Sequence, residues 1–230
     1  MSNLIIIPYR KREEHLKYFI NNTAHLLHKH LPNLKIIIVE QNNSKLFNRG
    51  ILLNIGFNEN INLHDCTYFT HDVDINPYEQ TIIDLYNINI DENTINGIYT
   101  SYCGTLGGVI SFKKESFLKI NGFPNNFYGW GVEDMVLLNR ANFHKINVSK
   151  NVLSKTQDSI EKFKIFNDNH NRSTEKIDEK TDFEYRKYKY LSNDEKILHN
   201  EKLGGINNLK YSIIKKDNIS DYITFISVDF

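Results

Sequence analysis

The chain is expected to fold as an open α/β domain, a mostly parallel central sheet flanked by helices, and three observations carry that expectation. Short apolar runs of strand length alternate with stretches of helical periodicity through the first half. The third run ends in Asp72-Val73-Asp74, and open α/β sheets present ligand-binding loops at the carboxyl ends of their strands. No apolar run approaches the roughly 20 residues that span a bilayer, so these runs read as core, with no membrane anchor or signal peptide expected.

Taken in order, residues 4–7 are a continuous apolar run stopped by Pro8, the pattern of a buried strand opening into a loop. Leu16, Phe19, Ile20, Thr23 and Leu27 then recur at helical spacing until Pro32-Asn33. Residues 35–39 predict a second buried strand, Ile51, Leu52, Ile55 and Gly56 a second helix, and residues 67–70 a third strand. This β-α-β-α-β order predicts parallel pairing with right-handed crossovers. Residues 98–102 and 109–112 predict strands around Gly107-Gly108, followed by a helix at 115–120 and another from Glu133 to Phe143. From about 154 to 202 the chain is polar and mixed in charge, with helical potential near 175–190 but no strong apolar face. Residues 209–214 and 222–228 predict terminal strands.

At 230 residues, 40% hydrophobic and 12% aromatic, the chain can bury one sizeable core, so a single domain is expected. Two halves of that domain are expected, residues 1–112 as the nucleotide-sugar half and 113–230 as the acceptor, lid and C-terminal part. Basic and acidic residues both number 28, so no global field draws the protein to nucleic acid or an anionic membrane, and partners must be recognised locally. The only cysteines, Cys66 and Cys103, are too far apart for a metal knuckle; such low usage fits a reducing compartment, and a disulfide between them stays open.

Two segments carry chemistry. Asp72 and Asp74 are expected to divide their work, one binding a divalent ion while the other fixes the loop or contacts ligand hydroxyls; in many chains this pattern is only a surface loop. A divalent ion there would neutralise charge on a leaving diphosphate better than one lysine. Pro8-Tyr9-Arg10-Lys11-Arg12 follows the first strand, where its arginines can reach phosphates bidentately or simply open a solvated helix. In the second segment, residues 121–134, Trp130 stands between Gly129 and Gly131 and runs into Glu133 and Asp134 at a helix start. Flanking glycines let an indole swing as a lid over fixed carboxylates; an ordinary turn and acidic first helical turn are the plain alternative.

Together, residues 4–16, Phe47-Asn48-Arg49-Gly50, Asp72-Val73-Asp74, Gly107-Gly108-Val109, Asn121-Gly122-Phe123-Pro124-Asn125-Asn126 and Gly129-Trp130-Gly131-Val132-Glu133-Asp134 resemble the motifs of the β-1,4-galactosyltransferases, in family order. The resemblance is dense over residues 4–148 and resumes at 204–211. It implies a GT-A sheet, a Mn²⁺-bound (or Mg²⁺-bound) UDP-sugar donor, a carbohydrate or glycoconjugate acceptor, and inversion at the anomeric carbon. By motif, Pro8, Tyr9, Arg10 and Arg12 hold the nucleotide, and Phe47 and Arg49 complete the uridine pocket. Asp72, Val73, Thr105 and Gly108 lie at the donor, with Asp74 as first metal ligand. Trp130 is the lid, Asp134 the general base and Glu133 the residue that orders the acceptor. The remaining ligands are expected at Phe166-Asn167-Asp168-Asn169-His170, which resembles the family's F-R-H-x-H variant, so that Asp168 and His170 join Asp74.

Three departures stand out. Met135 replaces the third carboxylate of the acidic run, which puts the usual GlcNAc or xylose acceptor in doubt; Thr105 stands where a tyrosine usually borders the donor sugar. Animal members are membrane-anchored and lumenal, whereas this chain reaches its first strand almost at once, so a soluble cytoplasmic enzyme of a microbe or virus is expected. A non-catalytic carbohydrate-binding module and a nucleotidyltransferase on a related sheet are the rival classes.

Overall fold

A computed structural model describes residues 2–101, 104–129, 131–166, 195–196 and 202–230. The strands are β1 (Ser2–Tyr9), β2 (Leu34–Gln41), β3 (Cys66–His71), β4 (Ile75–Pro77), β5 (Thr94–Thr100), β6 (Val109–Lys113), β7 (Asn147–Leu153), β8 (Phe163–Ile165), β9 (Ser212–Ser220) and β10 (Ile223–Asp229). The helices are α1 (Glu13–Tyr18), α2 (Ala24–His30), α3 (Arg49–Asn58), α4 (Glu79–Thr81), α5 (Lys114–Lys119), α6 (Glu133–Phe143) and α7 (Gln157–Lys162). A π-helical turn, Phe19–Thr23, joins α1 to α2 without a break in helical backbone, so the single predicted helix is one rod with a bulge.

Eight strands form one sheet in the order β7-β5-β6-β3-β1-β2-β10-β9, with β4 and β8 as a separate antiparallel pair. Strands β3, β1, β2 and β10 run parallel through its centre, and β5 and β7 are parallel at one end. Only β6 and β9 run against their neighbours.

Alternation along β1 divides the core. Leu4 and Ile6 pack with Leu52, Ile55, Phe57, Phe117 and Leu137 on one face; Ile5 and Ile7 pack with Phe19, Leu27 and Ile82 on the other. Each buried Ile or Leu contributes on the order of 1.5–3 kcal/mol, so a strand apolar on both faces has to lie between two layers. Helix α3 seats closely because Gly56 faces β1: a Cβ there would come within 2.3 Å of Ile6.

The register decides which loops meet. His71 pairs with Val109, and Val109 also pairs with Tyr99. The antiparallel β6 therefore starts at the edge where β1, β2 and β3 end. The loops 8–12, 42–48, 72–74 and 104–108 thus converge at one end of the sheet. No helix among the described residues is long and apolar enough to cross a membrane. Cys66 is buried and bears no disulfide, so the bridge left open by the sequence is not made there; Cys103 lies outside the described residues.

The ends of the chain depart from the sequence pattern. β7 escapes it because Asn147-Val148-Ser149-Lys150-Asn151 is polar, as suits a sheet edge. The strand expected at 209–214 runs instead from Ser212 to Ser220, since residues 212–219 of β9 are all exposed and no apolar face sets its ends. Leu209 and Tyr211 pack against the first core cluster, and Ile206–Asn208 is a short 3-10 turn.

Asn48 ties this frame to the site. Its side-chain oxygen caps α3 by accepting the Ile51 N–H at 2.9 Å, while its amide donates to the Asn125 carbonyl at 2.8 Å, in full burial. Asn48→Ala removes the cap and orphans a buried carbonyl, an expected loss of about 2–3 kcal/mol. A thermal melt should show a decrease of roughly 5–10 °C for a chain of this size.

Candidate active site

The loop after β1 and the start of α3 build one wall. Pro8 and Tyr9 are buried at the strand end, and burial pushes the Tyr9 phenol above its ordinary range. The Arg10 guanidinium donates to the Lys45 carbonyl at 2.6 Å and lies 5.5 Å over the Phe47 ring. A flat cation over a half-buried aromatic is a platform on which a planar ring can stack.

The carboxylates after β3 diverge. Two residues apart in a regular strand would share a face. Here β3 stops at His71, and Val73 and Asp74 form a turn. Asp72 accepts from Arg49 Nε at 2.7 Å, and Asp74 accepts from Arg12 Nη1 at 2.9 Å. Burial, with Asp72 adding repulsion, raises Asp74 above the usual carboxylate range against the pull of Arg12. His71 anchors the turn from beneath: its Nδ1–H donates to the Asp72 carbonyl at 2.9 Å and its Nε2 accepts from Tyr86 Oη at 2.9 Å. Full burial lowers its pKa to about 4, so the ring is neutral and this tautomer satisfies both bonds.

Arg49 is the hub. Its side chain is 11% exposed, and besides Asp72 it reaches toward the Gly108 carbonyl at 3.5 Å and Glu133 Oε1 at 3.7 Å. The Phe123 ring lies 5.5 Å beneath it, and among the described residues its buried Nη1 has no hydrogen-bond partner. Burial opposes its charge, but Asp72, Glu133 and Asp134 outweigh that and keep it firmly cationic. Arg49 therefore joins the turn after β3, the start of β6 and the start of α6.

Glu133 and Asp134 open α6, as the sequence predicts, but they face different surroundings. Glu133 is buried against Arg49; desolvation and the adjacent Asp134 raise its pKa to about 7, with Arg49 opposing. Asp134 is half-buried, with Oδ2 set 2.5 Å from where a Cβ on Gly107 would stand. The residue before the pair, Val132, has φ +81°, a strained angle for a β-branched side chain. Gly129 and Gly131 lie at φ +90° and +91°, and the Gly129 N–H donates to the Phe47 carbonyl at 2.8 Å. The chain on both sides of Trp130 is thus bent into conformations that favour glycine, next to the Arg10–Phe47 platform; Trp130 itself lies outside the described residues.

Glycine at 108 is already required by the sheet. Its φ is +83°, and a Cβ would come within 2.5 Å of the Tyr99 carbonyl. Thr105 is buried, its hydroxyl without a partner among the described residues, while Leu106 turns into the first core cluster.

Among the described residues no three His, Cys, Asp or Glu side chains cluster to hold a metal ion. Asp168 and His170 lie outside the described residues, but the chain leading to them is placed. β8 pairs with β4 just beyond Asp74, and the Phe166 N–H donates to the Asp74 carbonyl at 3.1 Å. Phe166 stacks on His15 at 5.1 Å, a buttress not evident from the sequence because β4 and β8 are three residues each. A half-buried carboxylate oxygen donor beside a second carboxylate fits a hard divalent cation such as Mn²⁺ or Mg²⁺.

Two family models match consecutive parts of the chain: the N-terminal region of glycosyl transferase group 7 over residues 1–87, and the N-terminal domain of galactosyltransferase over residues 88–167. The chain belongs to the β-1,4-galactosyltransferase family. Mouse β-1,4-galactosyltransferase 4 is 37% identical over 155 residues, covering 64% of this chain and 44% of the mouse protein. Human β-1,4-galactosyltransferase 1 is 37% identical over 153 residues, covering 64% of this chain and 38% of the human one. The match thus spans less than half the length of these relatives. Among solved structures, a Drosophila β-1,4-galactosyltransferase 7 mutant in complex with manganese, UDP-Gal and xylobiose superposes with a TM-score of 0.70 at 21% identity, covering 99% of this chain and 94% of that one. The catalytic domain of the same Drosophila enzyme with xylobiose gives 0.71 at 22% identity, with the same coverage. At such identity the likeness establishes the fold, a GT-A sheet.

Proposed function

We propose that this chain is an inverting, metal-dependent glycosyltransferase that moves galactose or N-acetylgalactosamine from a UDP-sugar to a hydroxyl of a carbohydrate or glycoconjugate. The observation that carries the reading is Arg49, which links Asp72 after β3 to Glu133 at the start of α6. The two carboxylate pairs are therefore linked through one arginine, at the end of the sheet where open α/β folds bind ligands.

In this reading Arg10 and Phe47 take the uracil, while Pro8, Tyr9 and Arg12 line the nucleotide. Asp72, Val73, Thr105 and Gly108 border the donor sugar. Asp74, with Asp168 and His170, holds Mn²⁺ or Mg²⁺, whose role when bound is to neutralise the departing diphosphate. Trp130 closes over donor and acceptor and excludes water. Asp134 takes the proton of the acceptor hydroxyl as its oxygen attacks the anomeric carbon from the side opposite UDP, which inverts that carbon. Glu133, protonated to near neutrality, donates a hydrogen bond to the acceptor and fixes its orientation. A panel of UDP-sugars with Mn²⁺, read by thermal stabilisation and by product formation, tests the reading. Stabilisation by UDP-sugars without transfer to any saccharide would instead favour a binding module.

Donor choice follows from Thr105. A threonine removes a ring's worth of bulk where the family carries tyrosine, which leaves room for an acetamido group at C2 of the donor unless Tyr102, outside the described residues, fills it; Leu106 turns into the core. UDP-GalNAc is expected to serve alongside UDP-Gal, since a cavity alone discriminates by only about 1–3 kcal/mol. Thr105→Tyr is expected to shift the kcat/KM ratio toward UDP-Gal by roughly 10-fold or more through steric exclusion. A wild type confined to UDP-Gal, with a ratio unchanged by the substitution, would remove Thr105 from the donor pocket.

A further inference from the structure

The platform made by Arg10 and Phe47 rests on a loop without regular backbone structure. Residues 42–48 form neither helix nor strand, so their course is set by what their polar groups meet. Four of those bonds converge on one side chain. Gln41, the last residue of β2, is 3% exposed, and its oxygen accepts the Asn48 N–H at 2.8 Å. Its nitrogen donates to Asn43 Oδ1 at 2.8 Å, to the Leu46 carbonyl at 3.0 Å and to the Lys45 carbonyl at 3.2 Å. An amide suits this place because one planar group accepts at one atom and donates from the other. A carboxylate would set negative charge against two carbonyl oxygens.

The same bonds reach the platform. Arg10 comes from the loop after β1 to donate to the Lys45 carbonyl at 2.6 Å, so Gln41 and the guanidinium share one oxygen. Phe47, 5.5 Å under that guanidinium, is bracketed by Gln41 on both sides, through the Leu46 carbonyl before it and the Asn48 N–H after it. Asn42, Asn43 and Lys45 bond in addition to Val228, Asp229 and Phe230, which ties the loop to the end of β10. One buried amide therefore fixes both the backbone that carries the ring and the acceptor that holds the cation.

We propose that Gln41 is a positioning residue for the nucleotide base, whose amide fixes the spacing of Arg10 and Phe47 before the base arrives. The inference rests on the reading of Arg10 and Phe47 as the uracil site. A platform ordered in advance spares the base the cost of ordering it on binding. Gln41 is itself too buried to touch the ligand.

The test measures the affinity of the full chain for UDP and for ribose 5-diphosphate, each with Mn²⁺, by titration calorimetry. The second probe has the sugar and phosphates of UDP and no base. Gln41→Met is expected to weaken UDP by about 10-fold, the scale of a lost hydrogen bond or two, and to leave ribose 5-diphosphate unchanged. In transfer assays KM for UDP-galactose should rise with kcat little changed, as when binding common to ground and transition states is lost. Gln41→Glu keeps the shape and the bond from Asn48 while withdrawing donated bonds; it should show the same selective loss, and it serves where the methionine variant does not fold. Added to Arg10→Ala, Gln41→Met should weaken UDP by no more than about a further twofold, because the two act through one platform. Equal weakening of both probes, or losses that multiply in the double variant, would overturn the proposal and leave Gln41 a residue of the fold alone. Unchanged UDP affinity in Arg10→Ala would sink the base-site reading itself. A loss in Arg10→Ala with none in a folded Gln41 variant would sink the positioning proposal and leave that reading standing.

Discussion

Asp74→Asn is expected to abolish transfer while leaving the fold intact. Asparagine keeps the shape and can still accept a hydrogen bond from Arg12, which now lies 2.9 Å from the carboxylate. What disappears is an anionic oxygen at a place where burial and Asp72 already make negative charge costly, so that a divalent cation is the natural compensation. Loss of a charged ligand at a diphosphate-binding ion should reduce turnover by on the order of 10³-fold or more. Titration calorimetry with Mn²⁺ in the presence of UDP should show the binding lost, and circular dichroism should show an unchanged fold. Full turnover by the variant, or by the wild type in excess chelator, would take the ion out of the mechanism.

Asp134→Asn should spare donor affinity and lower the transfer rate by about two to four orders of magnitude, the usual range for a lost general base. Glu133, with its pKa near 7, has the proton affinity a base wants at neutral pH. Access decides against it. Glu133 is buried and turned toward Arg49, whereas Asp134 is half-buried beside Gly107, one residue from Gly108 at the donor side. The comparison is made by measuring kcat for Asp134→Asn and Glu133→Gln side by side. A larger fall in Glu133→Gln would transfer the base assignment to that residue.

The central strands and α3 were legible because burial on both faces leaves little freedom. Residues 4–7 and 36–39 are apolar throughout, and only a strand between two layers satisfies that. Helix α6 was legible from its acidic start and apolar spacing. β7 and β9 were not, because an edge strand touches the core on little of its surface and its pattern is free to be polar. The partners of Arg49 were not legible either: the motif points to a uridine pocket, and only the fold shows its guanidinium engaged with Asp72 and Glu133 and packed on Phe123.

The amino-acid sequence alone determined the α/β class, the family, and the chemical identity of the carboxylates and arginines, since these depend on residue types at short separations. Only the tertiary structure decided how they are shared out. Asp72 went to Arg49 and Asp74 to Arg12, while Glu133 was buried and Asp134 left half-buried. Such pairings depend on the register of β3 with β6 and on where each strand stops, and those are set by packing between segments far apart in the chain. A charge is written in the sequence; its partner and its exposure are consequences of the fold.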